Sequence, residues 1–304
     1  MLRRTCVVLF VAVPLAIAGI LDDVRSSIEK NNLAAAASEL RDYRAHRGID
    51  PEYLEALSWM GRASLAQRQL DRAEQFAKET ESLSRQQLAK RPLDSEPHLP
   101  IALGAALEVQ SQVLAARGQQ PEAVALLKRG LTSYGNTSIR ARLQKNLNLL
   151  GLKGQLAPQL SVTQHLGPKP VPLTELKGSP VLLFFWAHWC GDCKAEGPII
   201  SQLRTEFGQK GLMVVAPTQL YGYAAEGEDA PPKTELAYIE RVWQHFYPGL
   251  QSVPVPVSKA NFNAYGASTT PTLVLLDRTG HVALYHPGVV PYPELRSAIE
   301  HVAN

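Results

Sequence analysis

The stretch Val181-Leu182-Leu183-Phe184-Phe185-Trp186-Ala187-His188-Trp189-Cys190-Gly191-Asp192-Cys193-Lys194 decides the fold. From Val181 to Trp186 no polar residue interrupts the run, which suits a strand covered on both faces of a sheet. A short turn follows, and from Cys193 to Phe207 apolar residues recur at helical spacing. Two cysteines two residues apart therefore sit where a buried strand gives way to a helix. Unpaired backbone N–H groups and the positive end of the helix dipole favour a thiolate there and lower the pKa of the first cysteine. Cys190 is the expected nucleophile. Cys193, within the first turn, is placed to attack a mixed disulfide on Cys190.

Outward from this stretch, Leu212–Ala216 and Thr272–Leu276 read as further buried strands and Thr234–Phe246 as a helix. The expected result is a β-α-β unit followed by a helix and a terminal strand pair. This is an α/β domain over residues 155–304, with a central mixed sheet flanked by helices. Pro158, Gly167, Pro168, Pro170 and Pro172 punctuate its entry, after a boundary at Gly151-Leu152-Lys153-Gly154. Tyr221–Pro232, rich in Gly, Ala and Glu, reads as a loose inserted loop.

Residues 21–152 differ in character: Ala, Leu, Gln and Arg dominate, β-branched runs are scarce, and breaks fall at Gly48, Pro51, Pro92, Pro97, Pro100 and Pro121. An all-α domain is expected. Leu33-x-x-Ala36, Leu70-x-x-Ala73 and Gln120-x-x-Ala123 each follow a polar turn and open a second helix. Leu57, Gly61 and Ala73 are matched fifty residues later by Leu107, Ser111 and Ala123. This spacing resembles the tetratricopeptide pattern, in which small residues let antiparallel helices approach closely. The functional reading is a groove for a partner protein; the alternative is a helical spacer or oligomerisation bundle.

The first residues form a third region. Leu2-Arg3-Arg4-Thr5 is a basic head, Cys6–Leu21 is apolar, and Ala16-Ile17-Ala18 has the small-x-small form of a cleavage site. Residues 1–18 are read as a signal peptide that sends the protein to the periplasm or another extracytoplasmic space, the alternative being a retained membrane anchor. Cleavage would leave only Cys190 and Cys193, in a compartment where disulfides persist. With 304 residues, 45% of them apolar and 19% charged, the chain has room for two folded cores. Its formal net charge is only +3, with no dense basic run, and nothing singles out nucleic acid as a partner.

A lone C-x-x-C serves redox chemistry or metal binding. Zinc sites of this kind need a second C-x-x-C or a spaced histidine pair, which this sequence lacks, and no cofactor beyond a redox-active Cys190–Cys193 disulfide is expected. His188 on an exposed loop would complete a copper-type site with the two sulfurs, and this metal-handling reading stays open. A static disulfide is disfavoured, because so small a ring restricts little chain entropy.

The run Phe185–Lys194 resembles the active-site segment of the thioredoxin superfamily. The continuation Lys194-Ala195-Glu196-Gly197-Pro198 is similar to the exported TlpA/ResA-like branch of thiol–disulfide oxidoreductases, as are Ala157-Pro158-Gln159-Leu160 and Leu173-x-x-Leu176-Lys177-Gly178 upstream. Ser268-Thr269-Thr270-Pro271-Thr272 resembles that family's cis-proline segment, followed by a hairpin turn at Leu276–Gly280 and by Gly288 in the next strand. The resemblance implies dithiol–disulfide exchange with exported protein thiols and disulfides, and an electron donor that the sequence does not identify. It implies that Pro271 is cis and faces the cysteines, that the Thr270 backbone pairs with a substrate chain, and that Glu196 exchanges a proton with Cys193. Trp189 would belong to the surface that partners meet.

Departures from the family pattern matter. Cytoplasmic thioredoxins carry a buried Asp six residues before the first cysteine; here Phe184 stands in that place, leaving the proton relay to Glu196. Asp192 replaces the usual proline, and a carboxylate there disfavours a nearby thiolate, which tilts the pair toward a reductant. A pure binding module, with the α/β half as platform, is a competing reading that the intact cysteine pair counts against. A peroxiredoxin-type peroxidase is disfavoured because the reactive cysteine is not in a Thr-x-x-Cys setting.

Overall fold

A computed structural model describes residues 19–162 and 164–304, so the segment read as a signal peptide lies outside the described residues. Among the described residues seven α-helices come first: α1 (Ile20–Glu29), α2 (Leu33–Arg47), α3 (Pro51–Ala66), α4 (Leu70–Leu88), α5 (His98–Ala116), α6 (Gln120–Tyr134) and α7 (Arg140–Gly151). Leu33, Leu70 and Gln120 are the first residues of α2, α4 and α6, as their shared spacing implied. Ala36, Ala73 and Ala123 are fully buried. At Gly61 of α3, a Cβ would lie in ordinary contact, 3.7 Å from backbone atoms of Ala73 and Ala77 on α4, so a small residue is what lets the two helices pack this closely.

Several prolines read as breaks turn out to be helix starts. Pro51 opens α3 behind Asp50, whose carboxylate accepts the Tyr53 N–H at 2.8 Å. Pro100 and Pro121 lie in the first turns of α5 and α6. The first turn leaves its N–H groups unpaired in any case, so proline costs little there. Among the described residues α5 is the one helix long and apolar enough to cross a membrane, and most of it is buried in the helical bundle.

The α/β half follows as β1 (His165–Leu166), β2 (Val181–Phe185), α8 (Gly191–Phe207), β3 (Met213–Val215), α9 (Pro232–Phe246), β4 (Val255–Pro256), α10 (Lys259–Tyr265), β5 (Thr272–Leu276), β6 (Val282–Pro287) and α11 (Tyr292–Ala303). The main sheet runs in the order β3-β2-β5-β6; β3 is parallel to β2, while β5 and β6 are antiparallel to their neighbours. Every residue of β2 is buried, as its unbroken apolar run requires. Leu182, Phe184 and Trp186 join the core formed with α8, α9 and α11, while Val181, Leu183 and Phe185 join a second core with Phe262 and Tyr265 of α10 and Leu152 just after α7.

The β2–β5 register pairs Phe185 with Thr272, which brings the Cys190 turn beside the segment that precedes β5. The β1–β4 pair, α10 and α11 were not anticipated. Gly288 falls just after β6 instead of within it.

The halves are closely joined. Gly154 donates to the Val282 carbonyl at 2.8 Å. Gly266, in the left-handed region at φ +59°, sits so close to α7 that a Cβ would come within 2.2 Å of the Lys145 nitrogen.

Candidate active site

The end of β2 is held by its own aromatic side chain. Trp186 is fully buried against Trp243 and Tyr247, and its indole Nε1–H donates to the Ala216 carbonyl at 3.1 Å. Its carbonyl accepts the Thr218 hydroxyl at 2.9 Å. The turn leaving this anchor delivers Cys190 to the N-cap of α8, with extended backbone (φ −75°, ψ 110°). The Cys190 sulfur accepts the Cys193 N–H at 3.0 Å, so the sulfur occupies the capping position in which a helix start stabilises negative charge. Cys190 and Cys193 are joined as a disulfide, with Cα atoms 5.3 Å apart. Cys193 is fully buried and Cys190 is 4% exposed, which makes Cys190 the sulfur nearer to solvent.

The Thr270–Pro271 peptide is cis, and the Thr270 carbonyl oxygen lies 3.4 Å from the Cys190 sulfur, ready to accept the thiol proton when the pair is reduced. Gly288 N–H donates to the Pro271 carbonyl at 2.8 Å and Thr272 Oγ1–H to the Thr269 carbonyl at 2.6 Å, which ties this segment on both sides. Among the described residues, no protein group accepts the Thr270 N–H. Trp189, half exposed, stands beside the pair with its indole edge-on to Tyr221 at 5.7 Å.

Glu196 is buried, 2% exposed, one turn after Cys193 on the same face of α8. Burial pushes its carboxyl up to about 7, against a smaller opposing effect of a backbone hydrogen bond from Val290. Among the described residues its Oε1 has no hydrogen-bond partner. The next residue is Gly197, where a Cβ would come within 2.6 Å of the Tyr247 ring. Only glycine lets that aromatic wall close over this end of α8.

His188 departs from expectation. It is buried, not displayed on an exposed loop, and its ring is enclosed edge-on by Tyr221, Tyr223 and Tyr238 at 5.2–5.5 Å. Its Nε2 lies 3.5 Å from Glu235 Oε1, and burial pulls its pKa below the ordinary value, partly offset by that carboxylate. Among the described residues no group of three or more His, Cys, Asp or Glu side chains is arranged to hold a metal ion.

The 221–232 insertion is likewise tied down at its root: buried Glu235 of α9 accepts the N–H groups of Tyr221 and Gly222, the latter at 2.9 Å. Glu235 was missed in the sequence, although it shares a helical face with Ile239, Val242 and Trp243, all buried.

A thioredoxin-like protein, YneN of Bacillus subtilis, is 31% identical over 149 residues, covering 49% of this chain and 79% of the relative. The chain belongs to the thioredoxin-like family. The thiol-disulfide oxidoreductase ResA of Bacillus anthracis is 33% identical over 131 residues, 42% of this chain and 66% of that relative. Residues 153–218 match the family model described as the AhpC/TSA family. Among solved structures, a protein described as thiol:disulfide interchange protein DsbE of Chlorobium tepidum aligns with TM-score 0.39 and 28% identity, covering 50% of this chain and 98% of that one. The stretches matched to YneN and DsbE each amount to about half of this chain, which leaves the helical half to be read from its own residues.

Proposed function

We propose that this thiol–disulfide oxidoreductase acts as a reductant of disulfides in exported proteins. The observation that carries the reading is the Cys190–Cys193 pair at the start of α8, its outer sulfur capped by the Cys193 N–H and set against the Thr270 carbonyl. In the reduced enzyme, the Cys190 thiolate attacks one sulfur of a substrate disulfide; the new S–S bond forms and the second substrate sulfur leaves as a thiolate. Glu196 then takes the Cys193 proton, for which a carboxyl poised at about 7 is suited. The Cys193 thiolate attacks Cys190, closing the internal disulfide and releasing the first substrate sulfur, which is protonated on leaving. Two electrons have passed to the substrate, and a donor dithiol of the same compartment restores the pair.

The reductant direction draws support from Asp192, whose negative charge opposes a thiolate on Cys190. Asp192 is exposed, so solvent screens the effect and the tilt is small. Export draws support from the basic head, apolar run and small-x-small site of residues 1–18. The three close-packed helix pairs α1/α2, α3/α4 and α5/α6 suit a tetratricopeptide-like domain over 21–152. Trp189 and Thr270, backed by the buried Pro271, form the surface offered to substrate.

The reduction potential of the pair tests the reading. A value near about −270 mV or lower is expected, whereas one near about −120 mV would make the protein an oxidant. Wild type should reduce insulin disulfides and Cys190→Ser should not; a wild type without that activity would leave the α/β half a mere platform.

A further inference from the structure

A cleft of about 700 Å³ opens beside the cysteine pair, and its two walls come from different halves of the chain. Trp189, Thr270 and Gln219 lie on one side; Asn136, Thr137 and Ser138, in the turn between α6 and α7, lie on the other. We infer that the helical half builds the far wall of the substrate groove, and that the groove takes an extended polypeptide segment whose cysteine sulfur is presented to Cys190. The inference rests on the exchange chemistry proposed above and names the substrate class that the seam between the halves selects.

The far wall is preorganised. The Asp94 carboxylate accepts the Ser138 N–H at 3.1 Å and its hydroxyl at 2.5 Å. The Thr137 hydroxyl donates to the Tyr134 carbonyl at 2.7 Å, and the Arg140 guanidinium to the Gly135 carbonyl at 3.0 Å. The seam itself is held by the close approach of Gly266 to the Lys145 backbone, which leaves the wall no room to slide toward the sheet. A wall already ordered costs an incoming chain little entropy to use.

The lining also fits a main chain better than a small thiol. Asn136, Gln219, Asn263 and Ser268 present neutral donors and acceptors along the cleft, which Lys259 also lines, and among the described residues the Thr270 N–H at its inner end lacks a protein partner. An extended segment would pair with Thr270 and satisfy its remaining polar groups on these amides and hydroxyls. A small disulfide would touch only the Cys190 end.

The test uses Cys193→Ser, which stops exchange at the mixed disulfide. A short uncharged peptide with a central cysteine, activated as its thionitrobenzoate disulfide, is attacked at the peptide sulfur; the Cys190–peptide bond forms and thionitrobenzoate leaves. Amides of residues 135–141 should then exchange hydrogen about tenfold more slowly than in the same variant capped with mercaptoethanol. Slowing confined to residues 189–193 and 268–270 overturns the inference and leaves the exchange chemistry standing, whereas failure to form any mixed disulfide removes both.

A second measurement reads the wall directly. Asn136→Trp should lower the ratio of kcat/KM for insulin to that for a small aromatic disulfide about tenfold. An unchanged ratio in a folded variant overturns the inference. Glu122→Arg, on the exposed start of α6 and outside the cleft, should keep the wild-type ratio.

Discussion

Glu196 differs from an ordinary helical glutamate in being buried, and two measurable consequences follow. Burial favours the neutral form, so the folded-state pKa of about 7 lies above the unfolded value of 4.5. The unfolded chain releases this proton first as pH rises. Stability held at pH 4 is therefore lost progressively between 4.5 and about 7 and levels off above that, by at most about 3 kcal/mol. Glu196→Gln, which is neutral at every pH, should flatten the denaturation midpoint across this window and be the more stable protein at pH 8. A midpoint profile parallel to wild type would show that the carboxyl ionises freely. In turnover, the same substitution should slow closure of the Cys190–Cys193 disulfide about a hundredfold, because a carboxyl poised to move a proton contributes roughly 10²- to 10⁴-fold. Rapid-mixing measurement of release of the first substrate sulfur checks this, and initial attack by Cys190 should be far less affected.

At the scale of elements, Gly266 fixes how α7 meets α10. Gly266→Ala would place a methyl group against the Lys145 backbone and hold a non-glycine residue at positive φ, and should cost about 2–4 kcal/mol by urea denaturation. A loss below about 0.5 kcal/mol would mean that α7 shifts freely. Nothing in the sequence around Gly266 announces this role, because its neighbour lies over a hundred residues away. The strands were legible because β2 is apolar throughout and β5 from Leu273 onward, and α2, α4 and α6 because polar turns and a buried alanine mark their starts. Two-residue β1 and β4 carry too few side chains to show a period. Cys190, Cys193 and Pro271 were readable from local pattern and resemblance, and the tyrosine cage of His188 was not. Glu235 holds its Tyr221 side, and the charge of that residue masks its place on a buried helix face.

For the whole molecule, the second face of the sheet is closed partly by the helical half. Leu183, Phe185 and Val274 share a core with Leu152, the residue that follows α7, and α7 packs along α10. A chain reduced to residues 155–304 would keep the cysteine pair, its α8 cap and Thr270, so thiol chemistry toward small disulfides should survive. It would lose Leu152 and the cover of α7, exposing apolar surface worth roughly 25 cal/mol for each Å² uncovered. Such a fragment should bind a hydrophobic dye and unfold at lower urea than the α/β half of the intact chain, with a single transition for the intact chain followed by tryptophan fluorescence and by circular dichroism alike. Two separated transitions in the intact protein, with the later one matching the fragment, would mean that the seam transmits no stability.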